Sequence, residues 1–213
     1  MNNNLLRFKN SQKYIVFDFE TCNLNLCLDS NKPWQLGFVI GKGKKIIDKK
    51  DFYISWSDLK VSKEAAMVTG FSKSKYDKNK KPPKDVLSEF EKYIYNKDYL
   101  ILGHNILGFD VYIHSIFRKL LNKEPDYSYL NRVIDTNCIA RGIKNQISYS
   151  ENDELIEWQY KLLHHRTKGV KTNLKQLCKD NDIDFDEKKL HDALYDVEKT
   201  FEVYNKLIWN IEI

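Results

Sequence analysis

The chain reads as an α/β domain, a mixed five-stranded sheet flanked by helices. Three observations carry this reading. Three apolar, strand-like runs fall within the first 56 residues, helical stripes alternate with short apolar runs from residue 83 onward, and neither an internal repeat nor a long linker divides the sequence. The 213 residues, 42% hydrophobic with four Trp, thirteen Tyr and eleven Phe, suffice for one sizeable core and argue against disorder. A single domain over 1–213 is the simplest organisation.

Residues 14–19, 34–40 and 46–56 are the first three strands, with Gly41-Lys42-Gly43 turning the second into the third. That glycine pair lacks the Gly-x-x-x-x-Gly-Lys-Ser/Thr spacing and no helix follows, so it makes a poor phosphate loop. The lysine-rich stretch 73–84 predicts a mobile loop. Behind Pro82-Pro83, the positions Val86, Phe90, Tyr93 and Ile94 mark one helical face, which leads to a fourth strand at 99–102 ending at Gly103. Phe109, Ile113, Ile116, Phe117 and Leu120 then trace a helix from Gly108, and a short fifth strand lies near Val133. Leu190, Leu194, Val197, Phe201, Tyr204 and Ile208 give the last helix its core-facing stripe.

Carboxylates stand at three of these junctions. Asp18 and Glu20 end the apolar run Tyr14-Ile15-Val16-Phe17, where an uncompensated charge would cost several kcal/mol. Strand residues two apart project to the same side, so both acids face one way and Phe17 and Phe19 the other. Acidic pairs at this spacing recur along the chain, Glu89/Glu91 and Asp182/Asp184 among them, and most of them read as solvated surface; what sets the first pair apart is the hydrophobic strand ahead of it. Asp110 falls in the first turn of its helix, a position the helix dipole alone would favour. Asp196 follows the small Ala193 by three residues, which lets that side of the last helix approach the sheet. His191 is about 140° from Asp196 on an ideal helix, so the two meet only if His191 lies on the loop or first turn. There it suits a general base, its ordinary pKa being near 6.5; a plain surface His at a helix start is the competing reading.

In order, Asp18-Phe19-Glu20-Thr21, Asn105-Ile106-Leu107-Gly108-Phe109-Asp110 and His191-Asp192-Ala193-Leu194-Tyr195-Asp196 resemble the signature of the DEDDh superfamily of 3′-to-5′ exonucleases. That superfamily includes the proofreading epsilon subunit of bacterial DNA polymerase III, the oligoribonucleases and ribonuclease T. The run from Glu64 to Phe71 is similar to the family segment ending in His-Gly-Ile, and Val133-Ile134-Asp135-Thr136 is similar to its central Asp-Thr strand end. The resemblance spans roughly residues 13–142 and 172–208. It implies a ribonuclease H-like fold, with Asp18, Glu20, Asp110 and Asp196 as metal-binding carboxylates and His191 as general base. Hard carboxylate oxygens suit Mg²⁺ or Mn²⁺. Two such ions about 3.5–4 Å apart would serve the attacking water and the leaving oxygen. By the same resemblance, Thr21 and Cys22 are candidates for gripping the terminal 3′-OH. Asn105, Phe109 and Thr69 are further candidate substrate contacts, although Thr69 replaces the His of many relatives.

The connection 143–171 is longer than the family minimum and reads as a divergent insertion. Trp158, Arg166, Lys168 and Lys171 would bind substrate there if the aromatic stacks on bases and the cations track phosphates. Leu155, Trp158 and Leu162 at 3–4 spacing equally describe an amphipathic helix with solvated charges.

A net charge of +5 favours a polyanionic partner only mildly. The expected partner is a nucleic acid with a free 3′ end, DNA ahead of RNA, with a DNA polymerase as a candidate protein partner. The expected activity is release of 5′-mononucleotides from single-stranded DNA. Its rivals are an exoribonuclease or oligoribonuclease and a catalytically silent nucleic-acid-binding module on the same fold. The four cysteines, Cys22, Cys27, Cys138 and Cys178, show no zinc-site spacing and are expected as free thiols. No stretch approaches roughly 18 uninterrupted apolar residues and residues 1–13 lack a secretory segment, so a cytoplasmic protein is expected.

Overall fold

The computed structural model describes residues 6–23, 25, 31–150 and 153–211. Residues 1–5 and Cys27, to which the leader and thiol expectations extend, lie outside them. Six strands, β1 (Lys13–Thr21), β2 (Pro33–Lys42), β3 (Lys45–Ile54), β4 (Lys80–Lys81), β5 (Tyr99–Gly103) and β6 (Val133–Asp135), lie side by side in the order β4-β3-β2-β1-β5-β6. The first three strands pair antiparallel, while β5 joins β1, β6 joins β5 and β4 joins β3 in parallel. Strand β1 therefore marks the change from antiparallel to parallel pairing. The helices are α1 (Lys63–Thr69), α2 (Lys73–Asn79), α3 (Pro83–Ile94), α4 (Asp110–Leu120), α5 (Thr136–Lys144), α6 (Leu155–His164), α7 (Leu174–Asp180) and α8 (Ala193–Leu207).

Alternation along β1 sorts its side chains between two cores. Ile15, Phe17 and Phe19 pack with α3 and α4 through Phe90 and Phe117. Tyr14 and Val16 join the other layer, built on Cys138, Leu177, Phe201 and Tyr204 from α5, α7 and α8. Asp18 and Glu20 continue the parity of Tyr14 and Val16, which turns them to the α8 side. Cys22, Cys138 and Cys178 are buried, Cys138 and Cys178 as free thiols. Among the described residues no helix is long and apolar enough to cross a membrane.

Two expectations need correction. The stretch 73–84 is not a loop: it forms α2 and the sixth strand, β4. Its anchor is Tyr76, 4% exposed, whose hydroxyl donates to the Ile54 carbonyl and accepts from the Trp56 N–H, both at 2.9 Å. One buried aromatic among many lysines leaves no apolar period to read. The second correction concerns Trp158. It is 4% exposed, packed edge-on against Tyr149 at 5.5 Å within the α5–α8 core, so its ring is closed to a nucleobase.

Candidate active site

The acidic pair owes its setting to where strand pairing stops. β1 and β5 stay in register from Lys13↔Tyr99 to Val16↔Leu102, and β5 ends at Gly103, so Asp18 to Thr21 run on past it. The Phe19 N–H, left without a strand partner on that side, donates to Asp110 Oδ1 at 2.9 Å. This bond ties the first turn of α4 to the acidic strand end. The loop before α4 is fixed by Asp135, whose fully buried carboxylate accepts from the N–H groups of Asn105 (2.9 Å), Leu107 (3.1 Å) and Asn137 (2.9 Å). Asn105 itself adopts φ +60°, a left-handed conformation that Asn tolerates better than most residues.

Helix α8 is brought in by a glycine that no sequence pattern marks. Gly37 on β2 lies opposite Asp18, and a Cβ there would sit 2.4 Å from the Ala193 carbonyl carbon and the Leu194 nitrogen. The helix start thus rests directly on the sheet, placing Asp196 beside the strand acids. His191 precedes the helix at φ +69°, a strained value for a residue with a side chain. Its N–H donates to Asp196 Oδ2 at 3.1 Å. Single donor atoms of Glu20, His191 and Asp196 all lie within 4.8 Å of one another. The loop position required for His191 and Asp196 to meet is the one observed.

A cavity of about 330 Å³ is lined by Asp18, Glu20, Asp110, His191 and Asp196 together. Thr21, Thr69, Asn105 and Phe109 line it as well. Cys22, Trp158, Arg166, Lys168 and Lys171 do not. Cys22 was expected at the strand-terminus grip, yet its N–H donates to Lys32 O and its carbonyl accepts from Ser62 N–H, both at 3.0 Å, which occupies the backbone groups that role needs. Arg166 lines a separate hollow of about 220 Å³ with Arg141 and His165, while Lys168 and Lys171 are exposed. Phe19, Val68, His104, Asn173, Leu174 and Thr200 complete the cavity lining; Phe19 and Val68 lie within the motif segments, and no periodicity or motif in the sequence marks the other four for it. His104 shares a 2.9 Å hydrogen bond with Thr136, and burial pushes its pKa down to about 4, so it is a neutral polar wall.

Electrostatics in this cavity ask for a cation. Burial and then neighbouring carboxylates push Asp18 and Glu20 well above the usual carboxylate range. Burial raises Asp110 and Asp196 too, in Asp196 with the added charge of Asp18. Among the described residues no Lys or Arg lines the cavity to relieve this repulsion. One oxygen of Asp196, Oδ1, is buried with no hydrogen-bond partner, which in a native site calls for an ion or water. Oxygen-rich, anionic and partly orphaned, the donor set fits hard divalent cations. Burial lowers the His191 pKa, keeping its ring neutral and able to accept a proton near pH 7.

Sheet order and converging acids together define a ribonuclease H-like domain with a candidate divalent-cation centre. A family profile described as RNase_T, exonuclease, matches residues 15–204, and the chain belongs to that exonuclease family. The order Asp18, Glu20, Asp110 and Asp196 with His191 is that of its DEDDh members. Among solved structures, the zinc-bound E. coli exonuclease I–single-stranded DNA complex superposes with a TM-score of 0.71 at 17% identity, over 92% of this chain and 40% of that one. The E. coli exonuclease I complex with a dT13 oligonucleotide gives 0.70 at 19% identity, over 92% and 40%. The apo form of exonuclease I gives 0.70 at 18%, over 95% and 43%. The likeness is one of fold, and the chain spans about 40% of the length of these exonuclease I structures. No curated protein sequence matches it.

Proposed function

We propose that this chain is a metal-dependent 3′-to-5′ exonuclease that removes 5′-mononucleotides from single-stranded DNA. The observation that carries the reading is the single cavity in which four carboxylates from three distant segments meet a neutral histidine. Asp18, Glu20 and Asp196 would hold one cation, with Asp18 and Asp110 serving a second. Bound there, divalent ions supply Lewis-acid stabilisation of charge on the reacting phosphate and a lowered pKa for the attacking water. His191 takes the proton from that water at a ring nitrogen. Asp196 steadies it through the N–H bond that fixes the loop. Thr21, Asn105 and Phe109 face the space left for the terminal nucleoside. Support for DNA comes from the structural neighbours bound to single-stranded DNA and dT13.

The test is digestion of one sequence, as DNA and as RNA, with Mg²⁺, Mn²⁺ or a chelator. DNA should shorten fastest and chelator should stop it. Faster loss of the RNA would move the substrate to RNA, and equal digestion in chelator would remove the metal from the mechanism.

A further inference from the structure

Strand β6 ends the sheet, so one row of its backbone groups faces away from β5. Left unbonded in the interior, such groups are costly. Helix α6, from the divergent 143–171 connection, closes this edge. Leu155, Trp158 and Leu162 sit in the α5–α8 core, while Ile156 and Tyr160 pack against the α3–α4 core, so the helix straddles the sheet. Gln159 falls on the seam between the two and is fully buried. Its Oε1 accepts from the Asp135 N–H at 2.6 Å, and its Nε2 donates to the Val133 carbonyl at 2.9 Å. A strand carbonyl and the N–H two residues on face the same side, so this one amide makes the bonds that a further strand would have made.

The residue held in this way is the one that organises the active-site loop. The Asp135 carboxylate accepts from the N–H groups of Asn105, Leu107 and Asn137. That loop runs directly into Asp110, whose Oδ1 takes the Phe19 N–H beside Asp18 and Glu20. A shift of the Asp135 backbone would therefore pass through its carboxylate to Asn105 and Asp110. We propose that Gln159 is a positioning residue for the acidic centre: by locking the backbone of β6 it sets where the loop places Asp110 against the strand acids. The proposal rests on the exonuclease reading of the acidic cavity. It gives helix α6 a role behind the site, exerted through hydrogen bonds and without contact to the substrate.

The experiment compares two variants of the same helix. Gln159→Met keeps the volume and removes both bonds, whereas Leu162→Ala removes packing and keeps them. Both should melt earlier than wild type. With saturating Mn²⁺ and a dT10 substrate, Gln159→Met should lower kcat by about 10- to 100-fold at little change in KM, and Leu162→Ala should leave kcat as it is. Hydrogen exchange gives a readout independent of cleavage. The Asn105 and Leu107 amides should exchange on the order of tenfold faster in Gln159→Met, relative to those of β1, and not in Leu162→Ala. Should Gln159→Met fail to fold, Gln159→Asn, which shortens the reach but leaves an amide at the strand edge, carries the same expectations. Wild-type kcat and wild-type exchange at Asn105 and Leu107 in the folded variant would overturn the proposal. Equal losses in Leu162→Ala would do so too, reducing the effect to one of stability. If wild type left dT10 intact the exonuclease reading would fail, and the exchange rates would still decide whether Gln159 holds the loop.

Discussion

Asp196 shows most sharply what the site requires of a single residue: one carboxylate oxygen takes the His191 N–H, and the other is buried with nothing to accept from. In the absence of metal this is a destabilising arrangement among like charges, so Asp196→Asn should raise the stability of the chelated protein by about 1–3 kcal/mol. The same change should abolish the heat of Mn²⁺ binding and slow cleavage by on the order of 10³-fold or more. Calorimetry and thermal melting with and without Mn²⁺ read both signs. A variant that lost stability in chelator yet kept metal binding would contradict the assignment. His191 carries a different load. His191→Ala should cost about 10²–10⁴ in rate and remove the acidic limb of the pH–rate profile. Since burial lowers its pKa, that limb in wild type should lie below the ordinary 6.5. An unchanged limb in the variant would make His191 structural.

Elements meet at this site through a few close approaches. The start of α8 rests on β2 only because Gly37 has no side chain. Gly37→Ala should push the helix from the sheet, destabilise the protein by about 1–3 kcal/mol and lower kcat more than KM. An unperturbed kcat would show that α8 tolerates the displacement. Farther away, Glu91 on α3 joins Arg118 on α4 and Lys123 just beyond it. Burial alone would push the Glu91 carboxyl up, but His114 beside it (Nε2 at 3.5 Å), the hydrogen bond from Lys123 and the charge of Arg118 hold it down, from 4.5 to about 2. A folded pKa below the unfolded one means the stabilisation is fully present above pH 4.5 and lost as pH falls toward 2. Glu91→Gln should therefore cost about 1–3 kcal/mol at pH 7, with the gap to wild type narrowing below pH 4.5. Urea denaturation at pH 7, 4 and 3 measures it, and a gap constant with pH would refute the coupling.

At the scale of the whole molecule, the parts legible in the sequence are those that repeat a strong local pattern. The β1 alternation foretold that Asp18 and Glu20 share a face, and the arithmetic of a helical turn foretold that His191 must sit before α8. What escaped depends on contacts between distant segments. Gly37 looks like any strand glycine until Ala193 is placed on it. Asp135 was visible as part of a motif, but its hold on the loop of Asn105 needs three backbone N–H groups brought together by folding. Tyr76 gives 73–84 its structure through hydroxyl bonds that no period encodes. Trp158, equally at home in a core or on a base, was settled by burial.

On the proposed function, these distant segments fold into one divalent-cation centre that works inward from a 3′ end. This reading is tested most directly by a time course on single-stranded DNA labelled at its 5′ end. The labelled products should shorten one nucleotide at a time, with unlabelled 5′-mononucleotides accumulating in step and complete arrest by chelator. Immediate release of a labelled mononucleotide, internal cuts, or an intact strand in the presence of Mg²⁺ would contradict it.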